Sequence, residues 1–227
     1  MNVFNLTNSY KRNFWKDPTL LSLVAVNLYL AWYAISSGLN NNTLIWLYWY
    51  QSVLIGIFNF LRILTLRQFS TKNFRGMNSN TDDAPTVRTK IGTAFFFLAH
   101  YGFFHLVYFI FLSVADKTSV DWVFVKNGAQ LFLVNSAFTF LIQKVRDYRN
   151  TPNIGEMMFF PYIRIVPIHL SIIFGGFFPG LGTLVFIILK SVADVAAHYI
   201  DLRLQEKEGN LTDKVNKLSA RLRKLDT

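Results

Sequence analysis

Six long apolar blocks, each bounded by charged or turn-forming residues, leave this chain few ways to fold. They run over about 18–37, 43–66, 92–114, 127–143, 157–178 and 181–201. A helix crosses the hydrocarbon of a bilayer in roughly 17 to 25 residues, and inside it only helices and closed barrels satisfy every backbone polar group. The apolar residues come in runs and do not alternate, which selects helices. The predicted fold is therefore all-α, a polytopic membrane bundle of six transmembrane helices. With 52% hydrophobic and only 16% charged residues, the chain is too apolar for an ordinary soluble domain of 227 residues.

The flanks set the predicted orientation. Lys and Arg concentrate before residue 18, at 67–90, at 144–156 and after 202, whereas 38–42 and 175–182 carry none. Basic flanks stay cytoplasmic, so both termini are expected there. This places the protein as a multi-pass component of the cell membrane, the inner one where a cell has two. It also accounts for a net charge of +10 without nucleic acid, and the expected partner is the lipid bilayer. No cysteine is present, which excludes disulfides, thiolate metal ligands and a thiol nucleophile.

Three divisions follow. Residues 1–17 mix cations with Phe4, Tyr10, Phe14 and Trp15 and read as an interfacial segment. Residues 18–201 form the transmembrane domain. Pro18 suits the first turn of its first helix, and its long polar segment, 67–90, is expected to be a mobile cytoplasmic loop. In the tail, 202–227, Leu211, Val215, Leu218, Leu222 and Leu225 are spaced 4, 3, 4 and 3 apart among cations. That pattern suits an amphipathic surface helix or a short coiled coil, through which a homo-oligomer can form.

Ionisable residues inside apolar runs single out the candidate site. They are His100 and His105 in the third block, Arg164 and His169 in the fifth, and Lys190, Asp194 and His198 in the sixth. Such groups cost several kcal/mol in hydrocarbon and normally face the bundle interior, where they mark a pathway, a binding site or a network that holds helices together. Lys190, Asp194 and His198 are four apart and form one stripe. His100 and His105 are five apart, about 140° around a helix, so they face different neighbours. Pro167 is expected to kink the fifth helix beside His169. The expectation is a cluster on helices 3, 5 and 6 that binds a small polar ligand or ion.

Two alternatives use the same residues. Histidine with Asp and Arg suits a proton relay or proton-coupled transport. His100, His169, Asp194 and His198 are also a possible zinc set for a metal-dependent intramembrane hydrolase, although Arg164 and Lys190 would repel the ion and no HExxH spacing is present. A pair of histidines on two helices can ligate haem, without any signature to support it. Ser136, Ser171 and Ser191 lie in no GxSxG elbow, which leaves a serine nucleophile without a motif.

HYGFFH in the third block, PYIRIVPIH in the fifth and LKSVADVAAH in the sixth resemble a largely prokaryotic family of polytopic membrane proteins of unknown function. The likeness covers about 18–201 and not the tail. It implies that His100, His105, Arg164, His169, Asp194 and His198 are shared polar positions, and it implies no activity.

Overall fold

The computed structural model describes residues 16–75, 83–114, 120–166, 169 and 187–200. Five helices run Pro18–Ser36 (α1), Asn41–Leu64 (α2), Val87–Val114 (α3), Trp122–Arg149 (α4) and Ile154–Ile163 (α5). A sixth helical stretch, α6, covers 187–200. The expected hairpin at 175–182, the kink at Pro167 and the tail from 202 lie outside the described residues, as does most of the N-terminal segment.

The helices start where local chemistry favours a start. Asp17 caps α1, accepting from the backbone N–H groups of Thr19 and Leu20, with Pro18 in the first turn. Asn40, Asp121 and Asn153 cap α2, α4 and α5 in the same way. Each supplies an acceptor to backbone donors that have no partner within the helix. Gly38, at φ 61°, turns the chain between α1 and α2 in a conformation that other residues adopt only at a cost.

The helices run alternately up and down. At one end, the start of α1 meets the end of α4 through Asp17 and Arg146, the end of α2 meets α4 through Arg62 and Asp147, and Lys90 near the start of α3 donates to the Leu66 carbonyl. At the other end, Thr43 Oγ1 accepts from the Asp121 N–H and Tyr33 stacks on Phe124. Helix α2 sits centrally, packed against α3, α4 and α5. It contributes to both apolar clusters, one around Leu30, Leu47 and Phe132, the other around Ile63, Phe97 and Met157.

α1, α2 and α3 are long and apolar enough to cross a membrane. Their packing is reversed from that of a water-soluble bundle. On α1, Asn27 is buried while Leu28 and Trp32 are each 65% exposed, and on α3 His105 is buried while Phe103, Leu106, Ile110 and Phe111 face outward. An apolar exterior over a partly polar interior suits a hydrocarbon surround.

The segment after α2, expected to be loose, is anchored over its described first part. Ser70 bridges to Asn153, Asn153 Nδ2 donates to the Lys72 carbonyl, and Thr71 is buried. Phe74 packs against Gly155, where an added Cβ would come within 2.8 Å of its ring.

Candidate functional site

The interior polar groups divide into two sets on opposite sides of α2. The first joins α2 to α3. His105 Nδ1 donates to the Tyr101 carbonyl at 2.9 Å, which leaves Nε2 to accept from the Ser52 hydroxyl at 2.9 Å. Tyr101 OH lies 2.9 Å from Ser52 Oγ and 3.1 Å from the Ser52 carbonyl. Trp49 Nε1 donates to the His105 carbonyl. A serine hydroxyl on an imidazole whose other nitrogen is fixed is the arrangement of a nucleophile and its base. Here, however, Ser52 and His105 are buried, every side-chain polar atom of the trio is engaged, and none of the three lines the interior cavity described below. The trio fastens two helices whose close approach is set by Gly56, where a Cβ would fall 2.5 Å from the Tyr101 ring.

The other α3 contacts go to α5 and its continuation. His100 Nδ1 meets Tyr162 OH at 2.7 Å and stacks on Phe96, and Tyr108 OH meets His169 Nδ1 at 2.8 Å. His100 and His169 are both exposed. As the 140° separation requires, His100 and His105 address different helices.

The second set joins α1, α4, α5 and α6. Three buried ion pairs lie in it or beside it. Arg62 grips Asp147 with two hydrogen bonds of 2.6 and 2.7 Å, Arg146 Nη2 meets Asp17 at 2.5 Å, and Lys190 Nζ meets Asp194 at 2.6 Å. Asn27 Nδ2 donates to Asp194 at 3.0 Å, and Lys190 lies over the Tyr48 ring. His198 Nε2 is 3.5 Å from Asp17. Burial opposes ionisation of Asp17, but the approach of His198, the hydrogen bond from Thr19 and the charge of Arg146 outweigh it and hold the carboxyl well below its ordinary value.

Between these helices lies a cavity of about 90 Å³, room for several waters or one small solute. Among the described residues its walls come from α1, α2, α4, α5 and α6, and α3 contributes none. Its polar lining includes Gln51, Asn135, Ser136, Gln143, Arg164 and His198, and no described carboxylate faces it. Gln51 is 2% exposed and its Oε1 has no hydrogen-bond partner. Buried amides are nearly always satisfied, so an open one on a cavity wall is a place for water or a ligand.

Of the residues singled out in the sequence, Arg164 and His198 line this cavity. Lys190 and Asp194 lie behind its wall, paired with each other, and His100, His105 and His169 are on the α3 side. The four residues considered for zinc are thus shared among separate contacts, and among the described residues no three His, Asp or Glu side chains are placed to hold a metal ion. Ser191 bonds back to its own helix and Ser171 lies outside the described residues.

Sequence reasoning passed over Asp17, Ser52, Gln51 and the Arg62–Asp147 pair. Asp17 did carry a signal, because Asp before Pro is a helix-start pattern. Ser52 and Gln51 carried none, since small polar residues in an apolar helix do not announce which neighbour they face.

No curated protein and no solved structure matches the chain. A family model does, over residues 9–210. The chain belongs to a family of unknown function, DUF6498.

Proposed function

We propose that this is a six-span membrane protein, with both termini cytoplasmic, whose interior cavity binds a small polar solute. The end of the bundle that holds Arg62, Arg67, Lys90, Lys144 and Arg146 faces the cytoplasm in this reading, on the positive-inside rule. The observation that carries it is Gln51, a buried amide with an open acceptor on a cavity whose other polar walls are amides, hydroxyls, an imidazole and cations. Hydrocarbon outside gives such groups no partner, so the cavity is either hydrated or occupied.

Thermal unfolding of the detergent-purified protein against a panel of small solutes tests this. A solute at 100 times its dissociation constant adds about 2.7 kcal/mol, a clear upward shift in Tm, and Gln51→Leu should weaken it. A panel that leaves the parent unmoved, or shifts parent and variant equally, overturns the reading.

A second reading, proton or ion movement, draws on the polar stripe of α6. Lys190, Asp194 and His198 each contact another polar group, and His198 links to Asp17 at the basic end. Proton flux in liposomes that is unchanged by His198→Ala and Asp194→Asn would dispose of it.

A further inference from the structure

We infer that the cavity is selective for a small oxyanion, a carboxylate or phosphate, with Arg164 as its charge partner. The inference rests on the cavity being the binding site and adds the sign of the ligand's charge.

The argument starts from how the interior charges are matched. Among the described residues, the buried carboxylates Asp17, Asp147 and Asp194 each already have a buried cation at hydrogen-bond distance, namely Arg146, Arg62 and Lys190. Arg164 is a fourth cation beside three carboxylates, and the one of the four without a hydrogen bond to any of them. Its Nε makes a loose ion pair, 4.0 Å from Asp194 Oδ1, an oxygen with no hydrogen bond, while the other oxygen of Asp194 takes both Lys190 and Asn27. Its side chain is 21% exposed and stands on the cavity wall.

Position reinforces charge. Arg164 is the C-cap of α5, where the helix gives way to a turn, so its backbone is fixed by N–H bonds to the Pro161 and Tyr162 carbonyls. The amides of Asn135 and Gln143 and the hydroxyl of Ser136, which also line the cavity, are able to donate, no described carboxylate is there to repel an anion, and the open Gln51 Oε1 can accept only from an oxyanion that carries a hydroxyl, as hydrogen phosphate does. Guanidinium groups bind carboxylates and phosphates through two parallel hydrogen bonds, which a cation or neutral amide cannot exploit. About 90 Å³ admits an acetate- or phosphate-sized solute, well short of the roughly 300 Å³ at which drug-sized pockets begin.

The experiment is calorimetric titration of the full-length purified protein with acetate, phosphate, urea and methylammonium. It compares the parent with Arg164→Gln, Arg164→Lys, Gln51→Leu and, as a control, Lys126→Gln, an exposed cation at the opposite end. Expected are oxyanion binding by the parent and the control, an affinity loss of about tenfold or more in Arg164→Gln, and a smaller loss in Arg164→Lys, which keeps charge without the fork. Should Arg164→Gln fail to fold, Arg164→Lys and Gln51→Leu still report: Arg164→Lys must weaken both oxyanions, and Gln51→Leu, which removes an acceptor, must weaken phosphate more than acetate. Oxyanion affinity within twofold of the parent in Arg164→Gln, or a parent that prefers methylammonium, overturns the assignment. Gln51-dependent binding of urea without any oxyanion would leave the cavity standing as a site and remove the anion. No heat from any of the four removes both.

Discussion

Gln51 and Ser52 are neighbours on the central helix, each only 2% exposed, and they meet opposite fates. One hundred degrees of helical turn point Ser52 at α3, where a tyrosine and a histidine use up its hydroxyl, and Gln51 at a cavity, where one end of its amide goes unused. Burial alone therefore does not tell what a polar side chain in an apolar helix is for. A closed network fastens helices, because all of its hydrogen bonds are made within the protein. An open group keeps a bond in reserve for something else. Gln51 Oε1, Asn27 Oδ1 and Asp194 Oδ1, the last only loosely paired with Arg164, hold that reserve on the α1–α4–α5–α6 side, while the Ser52, Tyr101 and His105 trio on the α2–α3 side holds none.

The contrast can be broken by substitution. The largest effect is expected where a closed charge pair is opened: Asp147→Asn strands Arg62 and should cost about 3–5 kcal/mol, whereas Arg62→Met with Asp147→Leu should cost far less. Urea or thermal unfolding in detergent measures both, and a double variant as damaged as the single one would show that the pair is more than a matched burial. Next, Ser52→Ala leaves His105 Nε2 without its partner, while Tyr101 OH keeps the backbone carbonyl of residue 52, and should cost about 1–3 kcal/mol without changing solute binding.

Asp17 sharpens the comparison through acid. Its folded carboxyl ionises below the ordinary value of 3.8. The stability it supplies is complete above that value and fades as the pH falls through it toward the lower folded value. A melting profile from pH 6 to 3 should drop at its acid end, and Asp17→Asn should start lower and flatten that drop. An identical slope in both proteins would detach Asp17 from the acid limb. The smallest effect belongs to Gln51→Leu, expected within about 1 kcal/mol of the parent and even above it, because the amide removed was unsatisfied. A loss like that of Ser52→Ala would mean that Gln51 holds the bundle together as firmly as its neighbour does.

Much of this architecture was legible in the residues. Pro18 marks the first turn of α1, and the apolar blocks at 18–37 and 43–66 overlay α1 and α2 within two residues at each end. The ends of α4 were not legible: the apolar block suggests 127–143, while the helix runs from Trp122 to Arg149. Lys126, Lys144 and Arg146 interrupt hydropathy without interrupting a helix, since long cationic side chains can reach a partner or the interface. In the fifth block, regular helix stops at Ile163, four residues before a proline that has no N–H to give its carbonyl. The stripe at Lys190, Asp194 and His198 was visible from spacing. Which helices it faces was not, because its partners Asn27 and Asp17 are more than 160 residues away, and no local pattern records a contact at that range.

That separation bears on how the chain is made. Asn27 bonds across 167 residues to Asp194, and the capping carboxylate of the first helix has a histidine of the last described one 3.5 Å away. At a synthesis rate of about 5–20 residues per second, the first helix waits on the order of ten seconds for its mates. During that interval its amide has only the translocation machinery, stray water or a chaperone to satisfy it. A chain that stalls before α6 should therefore stay recognisable to quality control as unfinished, however well its earlier helices have inserted.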